Sequence, residues 1–396
     1  MRPGSRNPLT RTLDSLILAV GLFVAGCGFV PTAGPTAHQV IDQSARDGSA
    51  HFEIVGIDGT VVAALLAAPK PSLCDRFPQK GPPADPTIGI GDSVVITIWE
   101  AADGGLFSSA ANANTQNGPG AHSVTLPPQL VGRDGAISVP FAGRIPVAGR
   151  LPLDVQHAVE KRLNGKALDP QAIVTVDKSV SNTATVEGEV VKGALVPLSP
   201  KGNRLLDLIA AAGGTSAPVY EIAVRLSRHG ATATIPMELL VAEPRENIYA
   251  EPGDVLTVVR APQSFAVFGA TGQNNEIRFS GPAMNLAEAL AKAGGLLDFR
   301  SDPAGVFLFR YENPAVVTAL GRKPSEIAPD GRVPLVYRLD LSDAKAYFAA
   351  ERFPIEDKDI LYVANANMTE LEKFLGLINS LTAPVVTGAV LKNATH

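Results

Sequence analysis

The amino-acid sequence predicts an α+β chain of several small domains, on three observations. β-branched runs are entered through turns containing glycine and aspartate. Short segments with helical spacing stop at glycine pairs, and one strand–helix–strand pattern occurs twice at matched spacing. The 396 residues, 45% of them hydrophobic, can bury two or three modest cores. The 37 glycines and 32 prolines lie among apolar runs, which fits a loop-rich fold with strands and not disorder. A net charge of −5 argues against nucleic acid, whose phosphates call for a basic excess.

At the start of the chain, Arg2, Arg6 and Arg11 precede a short apolar core at residues 16–24, followed by Ala25, Gly26 and Cys27. That core is shorter than the ~20 residues a mature span needs and reads as a secretion signal. Small residues directly before a cysteine resemble the bacterial lipobox, where cleavage leaves a lipid-bearing thiol at the new N-terminus. Residues 1–26 are therefore assigned to a lipoprotein signal peptide and Cys27 to lipidation, which ties the chain to a membrane. Gly28 is not the aspartate that retains many lipoproteins at the inner membrane, so the expected location is the outer membrane, with most of the chain in the periplasm. The other cysteine, Cys74, is expected to be buried as a small hydrophobe.

Residues 27–86 read as a tether and periplasmic segment. They hold short apolar elements at 52–57 and 60–68, and a proline-rich loop at 78–86 marks a boundary. Residues 87–180 form the next domain. Gly89, Gly91 and Asp92 turn into a β-branched run ending at Trp99, which reads as a strand. Residues 110–120, rich in Asn, Ala and Gly, read as a mobile loop. Asp134 and Gly135 are expected to make a hairpin turn between strands. Leu153, Val155, Val159 and Leu163 have helical spacing, with Asp154 early and Lys161 and Arg162 late, as the helix dipole favours. Residues 172–176 return as a strand.

The repeat follows, in residues 181–262 and 263–364. Val186, Glu187 and Gly188 precede an apolar helical segment ending at Gly213 and Gly214. Val267, Phe268 and Gly269 precede another ending at Gly294 and Gly295. Both Gly188–Gly213 and Gly269–Gly294 are separations of 25. Each copy reads as strand, hairpin, strand, helix and glycine stop, then closes with a turn and a strand, at 251–259 and 356–363. The second copy carries an insertion near 312–334 whose composition places it on a loop.

Residues 365–396 are expected to form an amphipathic helix and tail. Leu371, Phe374, Leu375, Ile378, Leu381, Val385 and Ala389 fall on one face at about 100° per residue. Glu372, Gly376, Asn379, Ser380, Ala383 and Thr387 fall on the other, and Pro384 interrupts the run. A helix from 367 to 390 would be roughly 35 Å long against a hydrocarbon layer of ~30 Å. One copy could not span alone, because its polar face would meet lipid. A ring of copies could, with apolar faces toward lipid and small polar faces toward a wet lumen.

Enzyme signatures are scarce. His38, His51, His122, His157, His229 and His396 are scattered without zinc-ligand spacing, and no phosphate-binding loop ends in Lys-Ser/Thr. Glu187 and Glu189 share a strand face but read as solvated. Asp92, Asp254 and Asp359 each precede a strand, and we read them as bonding their own turns and not as a shared acid or metal site. No catalytic residue, metal ligand or cofactor is nominated beyond the covalent lipid on Cys27.

The order of these motifs resembles the bacterial outer-membrane polysaccharide export lipoproteins, the Wza-type family. The strand from Ile88 to Trp99 is similar to the start of that family's export domain. The stretch Arg133, Asp134, Gly135, Ala136, Ile137, Ser138, Val139, Pro140, Phe141, Ala142, Gly143, Arg144 and Ile145, followed by Gly149 and Arg150, is similar to its most recognisable segment. The two repeats resemble its SLBB domains, which are β-grasp units, and the terminal helix resembles the segment forming its α-helical barrel. The resemblance implies a homo-oligomeric ring, octameric in the best-known members, passing capsular or exopolysaccharide from periplasm to cell surface. It also implies an inner-membrane polysaccharide co-polymerase as partner. The alternative is a periplasmic lipoprotein using its repeats to bind a ligand or the cell wall.

Overall fold

A computed structural model describes residues 34–45, 52–79, 81–101, 106, 122–323 and 327–366. They form two compact units: residues up to 69 together with those from 263 onward, and residues 70–262.

The first described elements are α1 (Ala37–Ala45), β1 (Glu53–Gly56) and α2 (Gly59–Leu66), all within the first unit. Asp58 caps α2, accepting the Thr60 and Val61 N–H groups at 2.8 and 2.9 Å. The single-turn α3 (Leu73–Arg76) opens the second unit. The buried Glu246 carboxylate accepts the Leu73 N–H at 2.6 Å and the Ser72 hydroxyl at 2.9 Å, which pins this turn to the core beneath it. Cys74 is a free, half-buried thiol packed against the same core.

Next come β2 (Ser93–Glu100), β3 (His122–Thr125), β4 (Gln129–Leu130), β5 (Ala136–Val139), β6 (Gly143–Pro146), α4 (Pro152–Leu163) and β7 (Gln171–Lys178). The β-branched run of β2 sends Val94, Ile96 and Ile98 inward at alternate positions, as a half-buried strand requires. β2 pairs antiparallel with β7 on one side and with β3 and β4 on the other. Val155, Val159 and Leu163 of α4 complete this core, while Leu153 is exposed.

The hairpin expected at Asp134 and Gly135 is corrected. Gly135 does turn there, at φ 65°, but β4 pairs with β2, and β5 pairs instead with β6 across Pro140, Phe141 and Ala142. The Gly135 carbonyl is taken by the N–H groups of Val147 and Ala148, which fold back over the turn and exclude a ladder between its flanks.

The repeats have one topology. The first comprises β8 (Thr183–Gly188), β9 (Ala194–Pro197), α5 (Leu205–Ala211), β10 (Ile222–Arg228), β11 (Ala231–Pro236), α6 (Met237–Ala242) and β12 (Val255–Arg260). The second comprises β13 (Ser264–Gly269), β14 (Glu276–Arg278), α7 (Leu286–Lys292), β15 (Ser301–Glu312), α8 (Pro314–Ala319), β16 (Val333–Leu339), α9 (Ala344–Arg352) and β17 (Ile360–Asn365). The sheet orders are β11-β10-β12-β8-β9 and β16-β15-β17-β13-β14, with β1 added in parallel beside β16. Each sheet is centred on a parallel pair, β8 with β12 and β13 with β17. Both glycine pairs take the left-handed conformation that ends a helix, at φ 85° for Gly213 and Gly214 and 81° and 72° for Gly294 and Gly295.

The pair of long strands between helix and closing strand, β10 with β11 and β15 with β16, was not anticipated in either copy. In the first they join through His229 and Gly230 alone; in the second, through the insertion. Its reading as a loop over 312–334 is corrected. Glu312 and Val333 are paired strand residues, and α8 lies between them with Val316 and Val317 buried.

At the end of the first strand in each repeat, Gly188 and Gly269 sit at φ 93° and 99°, where a Cβ would collide with the carbonyl oxygens of Val258 and Val363. Gly188→Ala and Gly269→Ala should each lower stability by roughly 1–3 kcal/mol in denaturant unfolding of the purified protein. Gly281→Ala, where a Cβ meets nothing within 4 Å, should leave it nearly unchanged.

Candidate functional site

Cys27 and both faces of the terminal helix lie outside the described residues. So do Leu371, Phe374, Leu375, Ile378, Leu381, Val385 and Ala389 on one face, and Glu372, Gly376, Asn379, Ser380, Ala383 and Thr387 on the other. Pro384 and the loop at 110–120 are outside as well. Among the described residues, no helix is long and apolar enough to cross a membrane. What the structure does give is the place from which these segments leave.

That place is one patch on the second repeat. The Tyr362 hydroxyl donates to the Pro35 carbonyl at 2.6 Å, and burial pushes its phenol pKa above the ordinary value. Gly34 lies against the same hydroxyl, where a side chain would collide. Ala37 and Val40 of α1 pack with Phe307, Val336, Tyr362 and Ala364 in a small core of their own. Three residues beyond Tyr362 the last strand ends, and Arg300 holds its exit. The Arg300 Nε donates to Asn365 Oδ1 at 3.2 Å, and the Arg300 carbonyl accepts the Ala366 N–H at 2.8 Å. Residues 34–37 and 362–366 therefore share one site. Seven steps of extended chain lead back from Gly34 to Cys27, at most about 25 Å.

The three turn aspartates are buried and do bond their own turns. The N–H of the residue three positions earlier reaches each carboxylate: Gly89 to Asp92 at 2.7 Å, Glu251 to Asp254 at 2.8 Å and Glu356 to Asp359 at 2.7 Å. The remaining lone pairs find different partners. In the repeats an arginine grips the carboxylate with two nitrogens. Arg228 Nε and NH2 lie 2.9 and 2.7 Å from Asp254, and Arg310 Nε and NH2 lie 2.8 and 2.6 Å from Asp359. Arg310 also reaches Glu312 and Glu356, and the Tyr337 hydroxyl donates to Glu312 at 2.7 Å. Burial opposes charge on Arg310, but these carboxylates outweigh it and hold the guanidinium more firmly protonated than usual.

Among the described residues Asp92 has no such arginine partner. Its oxygens take the Val180 and Ser181 N–H groups at 2.7 and 2.9 Å and the Ser181 hydroxyl at 2.8 Å. Burial pushes its pKa up, but these bonds outweigh the penalty and leave the carboxyl below its ordinary range. Each aspartate has its own partners, and among the described residues no three acidic, histidine or cysteine side chains converge as metal ligands. Glu187 accepts the Thr257 hydroxyl at 3.0 Å and Glu189 the Ser216 hydroxyl at 2.9 Å, both at exposed sites.

The sequence reading missed Arg228 and Arg310. The signal was present, an arginine on the first long strand of each repeat. But the arginines precede their aspartates by 26 and 49 residues, and the insertion conceals the equivalence.

A strand-rich leading domain and two β-grasp sheets with parallel centres, the second of which brings residues 34–37 beside 362–366, define a tandem β-grasp protein with a separate leading domain. Residues 80–177 match the family described as polysaccharide biosynthesis/export protein, and residues 183–236 and 263–363 each match the SLBB domain. The chain is 37% identical over 385 residues to the capsule polysaccharide export outer membrane protein CtrA of Neisseria meningitidis, covering 95% of each. It is 36% identical over 385 residues to the capsule polysaccharide export protein BexD of Haemophilus influenzae, covering 94% of this chain and 95% of that one. To the EPS I polysaccharide export outer membrane protein EpsA of Ralstonia nicotianae it is 25% identical over 386 residues. The chain belongs to the polysaccharide export family with two SLBB domains.

Asp254→Asn should destabilise the protein by roughly 2–4 kcal/mol, because the buried Arg228 would lose its two-pronged partner and keep only the half-buried Glu251, 2.9 Å from NH1, as counter-charge. The Asp92 carboxyl, lowered in the folded state, adds stability above its unfolded pKa, and that contribution disappears as pH falls through the folded value. Thermal unfolding should therefore show a steeper acid loss for the wild type than for Asp92→Asn, which should be less stable at neutral pH.

Proposed function

We propose that this protein is a subunit of an outer-membrane polysaccharide export channel, lipidated at Cys27 and inserted through its C-terminal helix. Copies assemble as a homo-oligomeric ring. The face holding Leu371, Phe374 and Leu375 meets lipid, and the face holding Gly376, Asn379 and Ser380 meets a water-filled lumen. Capsular or exopolysaccharide passes from periplasm to cell surface, handed on by an inner-membrane co-polymerase. No chemistry on the cargo is required, so the protein serves as a conduit and not a catalyst.

The observation that carries this reading is the shared patch on the second repeat. Gly34 and Pro35 seat on Tyr362, and Ala366 follows the same β17, which supports an anchor before residue 34 and a helix after residue 366 starting from neighbouring points. That proximity suits an anchor and a span that insert in the same membrane. The names of the relatives, capsule and EPS I export outer membrane proteins, support the cargo class and the location.

A second reading, a tethered periplasmic binding protein, has one observation in its favour. A groove of about 500 Å³ runs between α7 and α9, lined by Ala287, Ala291, Asp298, Ser301, Tyr347 and Ala350. Deleting residues 369–396 separates the two. Under the channel reading surface polymer disappears while the truncated protein stays folded and lipidated, and a tag after His396 on the full chain is reachable on intact cells. Unchanged export after the deletion would refute the channel assignment. Purified full-length protein should run as a large detergent-stable ring under the channel reading and as a monomer under the other.

A further inference from the structure

β13 and β17 run parallel, so their last residues lie at one rim of the second repeat. Phe268, next to last in β13, stands opposite Tyr362 there and is 52% exposed. The chain leaving β13 is tied to the loop after α7, since the Ala270 carbonyl accepts the Leu297 N–H at 3.1 Å. The Leu297 carbonyl accepts the Arg300 and Ser301 N–H groups at 3.0 and 2.8 Å. They close a turn that carries Phe299, 73% exposed. Among the described residues neither ring stacks on another ring or on a cation.

The matched positions of the first repeat carry no such rings. Counted from Gly269 and Gly188, Phe268 corresponds to Glu187; counted from Gly294 and Gly213, Phe299 corresponds to Pro218. Tyr362, opposite Phe268, corresponds to Thr257, opposite Glu187, and those two bond each other at an exposed site. The shared topology therefore does not require aromatic side chains at this rim, and burial does not reward them. Two phenylalanines left in water on a hydrogen-bonded backbone point to a contact outside the subunit.

The described chain begins and ends at the same rim. Gly34 lies against the Tyr362 hydroxyl, and the carbonyl that accepts the Ala366 N–H belongs to Arg300, the residue after Phe299. A bilayer holding a lipid on Cys27 would lie within about 25 Å of Gly34, the reach of seven extended residues. We propose that Phe268 and Phe299 form a membrane-resting patch, inserted at headgroup level in the phospholipid leaflet that holds the Cys27 lipid. The patch rests on the channel reading, which supplies the membrane, and deepens it by giving the second repeat a contact with lipid. Acyl chains keep a tethered domain near a surface without choosing which face meets it. Two rings at the interface add a second, short-range attachment and make that choice. In a ring of copies the pair recurs on every subunit, so weak single insertions add.

The test uses the full-length lipidated protein in vesicles of phosphatidylethanolamine and phosphatidylglycerol. The single tryptophan is removed by Trp99→Phe, and Phe268→Trp, Phe299→Trp and Tyr311→Trp are then introduced one at a time. Tyr311 is the control on the same sheet. It is 56% exposed but lies beyond Phe309, which pairs with Ile360 at the start of β17, away from the rim. Lipids brominated high on the acyl chain should quench the Phe268→Trp and Phe299→Trp proteins several-fold more than the Tyr311→Trp protein. Lipids brominated near the chain end should quench them less. All three substituted positions are exposed, so denaturant unfolding in detergent should match the Trp99→Phe parent.

Quenching at positions 268 and 299 no greater than at 311 overturns the proposal. Protection of those two positions from aqueous acrylamide without quenching by brominated lipid also overturns it, in favour of a protein surface covering the rings. Flotation of the wild type with the same vesicles keeps the channel reading separate. Protein that does not float overturns the reading and the patch together, whereas floating protein with unquenched rings loses only the patch.

Discussion

A carboxylate buried at the entrance to a strand must have every lone pair answered, and this requirement organises the chain three times. Asp92, Asp254 and Asp359 each take one bond from their own turn, which is local and cheap. The rest must come from far along the sequence, because an unsatisfied buried charge would cost several kcal/mol. Val180 and Ser181 come back to Asp92 across 88 and 89 residues, which fixes the end of β7 against the start of β2. Arg228 and Arg310 do the same within the repeats, locking the first long strand of each sheet onto its closing turn.

The repeats solve the cover over that arginine differently. In the second, Phe353 and Tyr337 from the repeat itself lie 5.5 and 5.7 Å from the Arg310 guanidinium. In the first, the ring at 5.5 Å from Arg228 is Phe77, contributed by the segment ahead of the export domain. Gln79 seals the same spot, donating to the Tyr249 carbonyl at 2.7 Å and accepting the Tyr249 N–H at 2.8 Å. The segment between the Cys27 motif and the export domain is thus more than a tether. Residues 34–66 supply a strand and two helices to the second repeat, and residues 72–79 supply the missing cover of the first.

That arrangement matters for the channel reading. A pore-forming helix that is tolerable in lipid only in company must be delivered to the membrane at a fixed place and pitch. The Arg300 contacts at the exit of β17, and the seating of Pro35 on Tyr362 beside it, hold residues 34–37 and 362–366 side by side, as that reading would require.

The sequence by itself determined the elements whose reasons are local. β2 showed in its β-branched alternation, α4 in its spacing and end charges, and the helix stops in Gly213–Gly214 and Gly294–Gly295. The turn aspartates and the doubling of one unit were equally legible, since each depends on neighbours within a few residues. Tertiary structure alone decided which strands pair. The Asp134–Gly135 turn looked like a hairpin, but the backbone of Val147 and Ala148 claims its carbonyl. The long strands of each repeat escaped notice, because β15 is buried on both faces near its centre and lacks clean alternation. Arg228 and Arg310 were unreadable for a related reason, since their partner is chosen by sheet order and not by spacing. The candidate site was half legible. Cys27 and the two-faced terminal run are written in residue types, whereas the patch that brings their flanks together exists only once β17 lies beneath residues 34–37.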